Sequence, residues 1–437
     1  MRAHVGGAVV HGCGPLTERQ TMFLRRSVAA LAATTALCAV TASAASSASA
    51  AASSDSRAGA AGSAADKKLP SGLYGKADPK FDGVWRQSTA LLALDAAGAK
   101  PAAKAVKWLA GQQCADGSFT AYRAETGTAC DSKKVPSDTN ATAIAVQALS
   151  ALGGRGGEVR KSLAWLGSVQ NKDGGWGYNP GSPTDANSTS VVIGAYAAAG
   201  EKPETIRKGE KSPYDALTSL QLGCDAETDG RGAFAYQPDK EGKLAANDDA
   251  TAAAALAGTG SGLLAGAHGK DGKPGAHRPV EALDCGKGQA DAEDGKPLSP
   301  ERSADAGAAY LASVLKKNGN HLKAVTPGAK GGPDYANTAD AVIALAAGGH
   351  HTEAKKALAW LGGELRSWNK AKNDPAAIGG VMLAVHATGG DPATLKGTEL
   401  LQSLSATGPK PARTADSSAK SDGENKDSTV LIWSLVG

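Results

Sequence analysis

Residues 161–178 read KSLAWLGSVQNKDGGWGY, and this stretch decides how the rest of the chain is interpreted. Apolar residues recur with helical spacing from Leu163 to Val169, which predicts an amphipathic helix. Asp173 and the two glycines after it then predict a turn, because glycine adopts positive φ without steric cost. A turn this tight would hold Trp176 close to the end of the helix.

The same arrangement occurs earlier in the chain, in KAVKWLAGQQCADGSF. Equivalent positions have the same mutual spacing in both segments, and they are Trp108, Gln113, Gly117 and Phe119 in the first and Trp165, Gln170, Gly174 and Trp176 in the second. Two copies in one register indicate a repeat protein.

The shared pattern resembles the QW motif of the terpenoid-cyclase and protein-prenyltransferase superfamily. Its elements are a Lys, a small residue, an aromatic residue followed by Leu, a Gln, and then Gly-x-Trp. Ser162 departs from the pattern, at a position where Gly or Ala is usual. In that superfamily the motif is structural: the Gln binds free backbone groups at a helix end and the aromatic residue stacks over it. The resemblance implies a fold and does not imply a reaction.

Six Ala-rich segments that end in glycine predict helices with closely approaching neighbours. They end at Gly98, Gly153, Gly200, Gly258, Gly348 and Gly389. More amphipathic partner helices are predicted at 101–113, 158–170, 213–222, 300–317, 352–367 and 393–404. An inner and an outer ring of six helices each form an all-α (α/α)6 toroid. An open solenoid is the physical alternative, and the resemblance favours closure.

The beginning of the chain predicts export. After Met22, the expected start, come two arginines, an apolar run and small residues, which is the pattern of a secretory signal peptide. Residues 1–50 thus hold an upstream segment and the signal, and 51–68 form an Ala/Ser-rich spacer too poor in apolar surface to fold. Residues 69–408 form the repeat domain, with an insertion at 259–299.

The end of the chain divides into a polar linker at 409–428 and a short apolar segment at 429–437. This segment is far shorter than the roughly 20 residues needed to span a bilayer. It is either the start of a truncated membrane anchor or a segment that packs on the domain. Association with a membrane or cell wall therefore stays open.

Charge and cysteine content limit the classes of partner. The formal net charge of +4 is dispersed along the chain and gives no electrostatic footprint for nucleic acid. Four cysteines follow the signal, and an even number in an exported protein favours disulfides, with Cys114 paired to Cys130 and Cys224 to Cys285. A metal site is the competing interpretation, but no Cys-x-x-Cys or cluster of His supports it. We expect no metal and no cofactor.

A polar signature recurs just before four of the Ala-rich helices, as SDTNAT, TDANST, ANDDAT and DYANT. Acidic and Asn residues at these places satisfy free N–H groups and complement the helix dipole, so helix capping explains them. The functional interpretation is a ligand-binding rim at one mouth of the toroid. Its residues are Asp138, Asn140, Asp185, Asn187, Asn247, Asp248, Asp334 and Asn337.

Asp248 and Asp249 are the strongest catalytic signal in the sequence, although a weak one. Their context, ANDDATA, resembles the Asp-x-Asp-Asp-Thr-Ala element of squalene-type cyclases, whose middle Asp protonates the polyene. Ala246 replaces the first Asp, so the hydrogen bonding that keeps the acid protonated is missing. Carbocation chemistry also requires an aromatic-lined cavity, and the chain is 4% aromatic. We therefore assign no catalytic residue from the sequence.

Most of the repeat domain also resembles exported actinobacterial prenyltransferase/squalene-oxidase repeat proteins, a name that records the fold. Secreted cobalamin carriers of animals use the same barrel, which is a precedent for a binding role. Two functions stay open. One is a non-catalytic module, secreted or at the cell surface, that binds a small molecule or a cell-surface partner. The other is a terpenoid-cyclase- or prenyltransferase-like enzyme that acts on an isoprenoid or lipid.

Overall fold

A computed structural model describes residues 69–266, 277–286, 298–325 and 331–412. These residues contain twelve α-helices and two small antiparallel sheets, so the predicted all-α class is confirmed. Strand β1 (Leu322–Lys323) pairs with β2 (Pro333–Asp334), and β3 (Thr394–Leu395) pairs with β4 (Thr398–Glu399). The predicted signal peptide and spacer, and the chain from 413 to 437, lie outside the described residues.

The Ala-rich segments form helices that pack against one another in a closed circuit. They are α1 (Gly83–Ala96), α3 (Thr139–Leu152), α5 (Ala186–Ala198), α7 (Asp248–Gly258), α9 (Tyr335–Ala347) and α11 (Pro375–Ala387). Each packs against the next in this order, and α11 packs against α1. Small residues permit this approach: a Cβ on Gly379 of α11 would lie 3.0 Å from the Cγ2 atom of Thr89 in α1.

Each Ala-rich helix also packs against the partner helix that follows it in the chain. The partner helices are α2 (Ala103–Ala110), α4 (Gly156–Ser168), α6 (Pro213–Thr218), α8 (Pro300–Lys317), α10 (His351–Glu364) and α12 (Leu400–Ala406). Two 3-10 helices, Pro203–Thr205 and Asn369–Lys372, lie between these elements.

The helix predicted at 393–404 is wrong in its first half. The β3–β4 hairpin occupies that stretch, and its turn places Lys396 at φ 46° and Gly397 at φ 75°. Two successive residues with positive φ are incompatible with a right-handed helix. Helix α12 therefore begins at Leu400.

The glutamines of the QW-like segments bind backbone groups, as the resemblance implies. The Gln113 side-chain amide donates to the carbonyl oxygen of Glu158 at 2.7 Å and to the Ser162 hydroxyl at 2.8 Å. The Gln170 amide donates to the carbonyl oxygen of Gly174 at 2.7 Å. Both glutamines therefore join their own segment to a backbone group of a turn or of the next partner helix.

The glycine of each QW-like segment is required because the turn lies against the backbone of the next repeat and leaves no room for a Cβ atom. Gly117 and Gly174 have φ values of +95° and +91°. A Cβ at Gly117 would lie 2.4 Å from the carbonyl oxygen of Lys161, and one at Gly174 would lie 2.3 Å from that of Ser212. Each turn thereby fixes the position of the following partner helix.

The structure contains a third copy of this turn that was not predicted. The Gln221 amide donates to the carbonyl oxygens of Gly232 at 3.1 Å and Ser303 at 2.9 Å. Gly232 has φ +81°, and a Cβ there would lie 2.6 Å from the carbonyl oxygen of Ala306. Phe234, buried like Trp176 of the second copy, completes the pattern.

The recurrent polar signature caps the Ala-rich helices, so the capping interpretation is confirmed. Each capping side chain accepts a hydrogen bond from a backbone N–H three residues further along: Asp138 from Ala141 at 2.8 Å, Asp185 from Ser188 at 2.7 Å, Asn247 from Ala250 at 2.8 Å and Asp334 from Asn337 at 3.0 Å. The threonine hydroxyl of each signature accepts a hydrogen bond from a backbone N–H earlier in the chain: Thr142 from Phe119, Thr189 from Trp176, Thr251 from Phe234 and Thr338 from Leu322. One signature thus joins the start of each of these helices to the turn or strand before it.

Both predicted disulfides are confirmed. Cys114 bonds to Cys130, with 4.5 Å between their Cα atoms, and Cys224 bonds to Cys285, with 5.4 Å between theirs. The second bond attaches the described part of the insertion to the body of the domain. Arg278 attaches it again, since its guanidinium lies 2.8 Å from the carboxylate of Asp305 in α8.

The two ends of the described repeat region meet. The Gly75 N–H donates to the carbonyl oxygen of Thr407 at 2.9 Å, and the Tyr74 hydroxyl donates to that of Pro409 at 2.6 Å. Among the described residues, none of the helices combines the length and apolar character needed to cross a bilayer. The two disulfides are compatible with a secreted or extracellular protein.

Candidate functional site

The Ala-rich helices surround a cavity of about 110 Å³, which we call the ring cavity. Helices α1, α3, α5, α7 and α9 all contribute to its lining. A second space of about 60 Å³ shares Trp85, Leu263 and Asp340 with it and is also lined by α11. Together, the linings of the two spaces take residues from all six Ala-rich helices.

Three aromatic side chains lie in the lining of the ring cavity: Phe81, Trp85 and Tyr178. Phe81 is 64% exposed, so it marks the side where the cavity opens to solvent. An aromatic side chain held in water at a cavity mouth offers an apolar and π-face contact to whatever enters.

The opening residues of the insertion form part of the wall. The Gln147 side chain of α3 accepts from the Leu263 N–H at 2.9 Å and donates to the carbonyl oxygen of Val191 at 3.1 Å. Glycines let this segment enter: a Cβ on Gly262 would lie 3.1 Å from the carbonyl oxygen of Gly194 in α5. The insertion therefore contributes to the cavity as well as to the surface.

Asp340 of α9 is the most perturbed carboxyl group of the ring cavity. It makes no hydrogen bond or ion pair within the described part of the chain. Burial raises its pKa to about 8, and the negative charges of Asp249 and Asp334 act in the same direction. Asp340 is therefore largely protonated at neutral pH.

Asp249 of α7 shares the cavity with Asp340. Its carboxylate accepts a hydrogen bond of 2.6 Å from the Asn187 side-chain amide. Burial raises its pKa to about 6; the Asn187 bond lowers it, and the neighbouring carboxylates, among them Asp185, raise it further. At neutral pH Asp249 therefore carries a charge that the protein solvates poorly.

Asp138 both caps α3 and lines the ring cavity. Burial raises its pKa to about 6, while the Ala141 N–H and the Tyr178 hydroxyl act against this rise. The cavity thus has three carboxyl groups in its lining, each with a raised pKa.

No positive charge balances these groups within the lining, which contains no Lys, Arg or His among the described residues. Three lining residues, Asn140, Asn187 and Ser190, also have a buried polar atom without a hydrogen-bond partner in the described structure. Carboxyl groups without a counter-charge in a small enclosed space favour a ligand that brings positive charge or hydrogen-bond donors.

Apart from Asp248, the predicted rim residues divide into two groups in the structure. Asp138, Asn140 and Asn187 line the ring cavity. Asp185, Asn247, Asp334 and Asn337 lie at the helix starts outside that lining, where they make or receive the capping bonds.

The two weak catalytic candidates also separate. Asp248, at the position that the resemblance gives to the cyclase acid, accepts a hydrogen bond of 2.7 Å from the Tyr310 hydroxyl of α8 and does not line the cavity. Asp249 does line it. Within the described ranges, no group of three or more His, Cys, Asp or Glu side chains is arranged to hold a metal ion.

No protein-family model matches the chain, and no curated protein matches it either. Among solved structures, a protein from Actinoplanes is similar over 69% of this chain and 76% of its own length, with 16% sequence identity and a TM-score of 0.40. A likeness at that score carries no argument about fold or function.

Proposed function

We propose that this protein is an exported (α/α)6 toroid whose ring cavity binds the cationic group of a small molecule, without converting it chemically. The ligand is either free or part of a cell-surface partner. The toroid is proposed within the superfamily that the QW-like segments resemble. Its support is the circuit of contacts from α1 through α11 and back to α1, together with three turns that fix successive partner helices.

One observation supports a cationic ligand. The ring cavity has three carboxyl groups with raised pKa values and no basic side chain in its described lining. A bound cation would supply the missing counter-charge and would lower these pKa values. Trp85, Tyr178 and Phe81 add aromatic faces, which attract quaternary and other ammonium groups.

The volume sets the size of the bound group. A cavity of about 110 Å³ is somewhat smaller than the engineered apolar cavity of about 150 Å³ that binds benzene in another protein. A compact ammonium group fits this space, whereas a folded polyene chain does not. Any larger remainder of the ligand would extend past Phe81 into solvent.

Choline and its neutral isostere 3,3-dimethylbutan-1-ol test this proposal, because they share one shape and differ in charge. By titration calorimetry near pH 8, we expect choline to bind at least about tenfold more tightly. Asp249→Asn should weaken choline binding by about tenfold or more, since it removes the charge paired with the ligand. The same change at exposed Asp225, outside the cavity, is the matched control and should have no effect.

Choline affinity should also rise as the pH increases through the range from about 6 to 8, where Asp249, Asp138 and Asp340 ionise. The charge of choline is permanent, so this dependence reports the protein groups alone. Equal binding of the isostere, or a choline affinity that Asp249→Asn leaves unchanged, would overturn the cationic-ligand proposal.

A second candidate, a terpenoid-cyclase- or prenyltransferase-like enzyme acting on an isoprenoid or lipid, has one observation in its favour. Asp340 retains its proton at neutral pH in a largely apolar cavity, as a general acid must. The small cavity volume and the position of Asp248 outside the lining both favour binding instead. Formation of a cyclised or transferred product from an isoprenoid diphosphate or a polyene would support the enzyme.

A further inference from the structure

A larger cavity, of about 380 Å³, lies where the two ends of the described repeat region meet. Three segments form its wall: the stretch from Gly75 to Arg86, residues 370–375 at the start of α11, and residues 406–407 at the end of α12. The Gly75–Thr407 backbone bond joins the first of these to the last. This larger cavity, which we call the seam cavity, shares no lining residue with the ring cavity.

The seam cavity has the opposite charge balance to the ring cavity. Its lining contains four cationic side chains, Lys76, Arg86, Lys370 and Lys372, against the two carboxyl groups of Asp82 and Asp374. One oxygen of Asp374 already accepts from the Ala376 and Ala377 N–H groups at 2.9 and 3.3 Å, as the N-cap of α11. The lining thus has more cationic than anionic side chains, and the N-terminus of α11 beside it is already capped by Asp374.

Arg86 is a buried cation with incomplete pairing. The residue is 1% exposed, and its Nη2 atom donates to the carbonyl oxygen of Ala77 at 2.9 Å. Its Nη1 atom lies 3.4 Å from Asp82 Oδ1, longer than the ~2.7–2.9 Å of a strong charge-assisted bond. Its Nε atom has no partner within the described structure.

Asp82 is also a weak counter-ion for this arginine. Burial raises the pKa of its carboxyl group, and the charge of Asp374 raises it further, although Arg86 acts in the opposite direction. A buried guanidinium with one long ion pair retains much of its desolvation cost. An anion in the seam cavity would supply the missing compensation.

We propose that the seam cavity binds a phosphate monoester. A phosphate group carries about −1.5 to −2 charge at neutral pH, a charge that Arg86, Lys76 and Lys372 of the lining can balance. Arginine and lysine donors are groups that hold phosphate in proteins. The cavity volume lies within the ~300–1,000 Å³ of small-molecule sites, so an organic group beyond the phosphate fits as well.

Glycerol 3-phosphate is the test ligand, with glycerol as its neutral counterpart and acetate as a carboxylate probe, all at one ionic strength. The exported protein should bind glycerol 3-phosphate saturably in titration calorimetry and bind glycerol and acetate at least about tenfold more weakly. The double substitution of Lys76→Gln and Lys372→Gln should weaken the phosphate ester by about tenfold or more. Both lysines are exposed, so the fold should tolerate the change.

Lys133→Gln is the matched control, because Lys133 is an exposed lysine outside the seam cavity. It should leave binding of the phosphate ester unchanged, and the double variant should retain the melting temperature and the choline affinity of the parent protein. Binding of acetate as tight as that of glycerol 3-phosphate would overturn the phosphate assignment. So would an absence of saturable binding, or equal binding by the parent and the double variant.

Discussion

Replacement of Asp340 by Asn is expected to raise the melting temperature by several °C near pH 9 and to leave it nearly unchanged near pH 4, because it removes a buried group that ionises unfavourably. Asn is close to the protonated carboxyl group in size and cannot ionise. The difference between the two proteins therefore isolates the cost of ionising Asp340 in the folded state.

The sign of the effect follows from the raised pKa. Below about pH 4 the carboxyl group is protonated in both the folded and the unfolded chain, so it contributes no pH dependence. Between about pH 4 and pH 8 the unfolded chain loses this proton while the folded protein retains it, and the free energy of unfolding decreases. Above pH 8 the decrease is complete, on the order of 5 kcal/mol in total, because a tenfold change in a protonation equilibrium corresponds to about 1.4 kcal/mol.

Thermal unfolding followed by circular dichroism across this pH range measures the effect. Asp225→Asn, at an exposed carboxylate, should follow the parent protein at every pH. If the melting temperatures of Asp340→Asn and the parent protein differ by the same amount at low and high pH, Asp340 is not the buried, poorly solvated acid described above.

Truncation of Trp176 to Ala is expected to destabilise the protein by about 3–5 kcal/mol, the usual cost of removing a large buried aromatic side chain. The Trp176 ring is fully buried, and its Nε1 atom donates to the carbonyl oxygen of Leu166 at 2.8 Å. The substitution therefore leaves a cavity and also removes the partner of a buried carbonyl group. The free energy of unfolding in urea measures the loss.

Two further variants separate packing from hydrogen bonding at this turn. Trp176→Phe keeps most of the buried surface and loses the N–H donor, so we expect a cost of about 1–2 kcal/mol. Phe81→Ala truncates an aromatic ring that is 64% exposed and should change stability by no more than about 0.5 kcal/mol. A Trp176→Ala protein as stable as Phe81→Ala would show that the QW-like turn does not hold the repeats together.

The sequence predicted those features that depend on short-range chemistry. The Gln, Gly and aromatic spacing of the first two turns and the capping role of Asp138 and Asp185 depend on local pattern. The presence of disulfides follows from the even number of cysteines, and Cys114 and Cys130 are close in sequence. The third turn was not predicted because its spacing differs from that of the first two. Seven more residues lie between Gln221 and Gly232 than between Gln113 and Gly117. Its remaining signal is the Gly-x-Phe that ends it.

The lining of the ring cavity could not be predicted in the same way. Which face of an Ala-rich helix points inward depends on its neighbours, and small residues lie on every face. Asp340 is therefore not among the predicted rim residues, although a single carboxylate just before the apolar run AVIALAAG is an available signal. Asp249 and Asp248 are adjacent in sequence, yet one faces the cavity and the other faces Tyr310, because successive residues on a helix point about 100° apart.

Native mass spectrometry of the protein, purified without added ligand beside an Ala253→Phe variant, tests the proposed ligand site most directly. Ala253 lines the ring cavity, so a phenyl ring there fills the space while the remainder of the protein is unchanged. We expect a co-purifying small molecule with a positively charged group in the parent protein and none in the variant. An empty parent protein, or the same bound mass in both proteins, would contradict a ligand in the ring cavity.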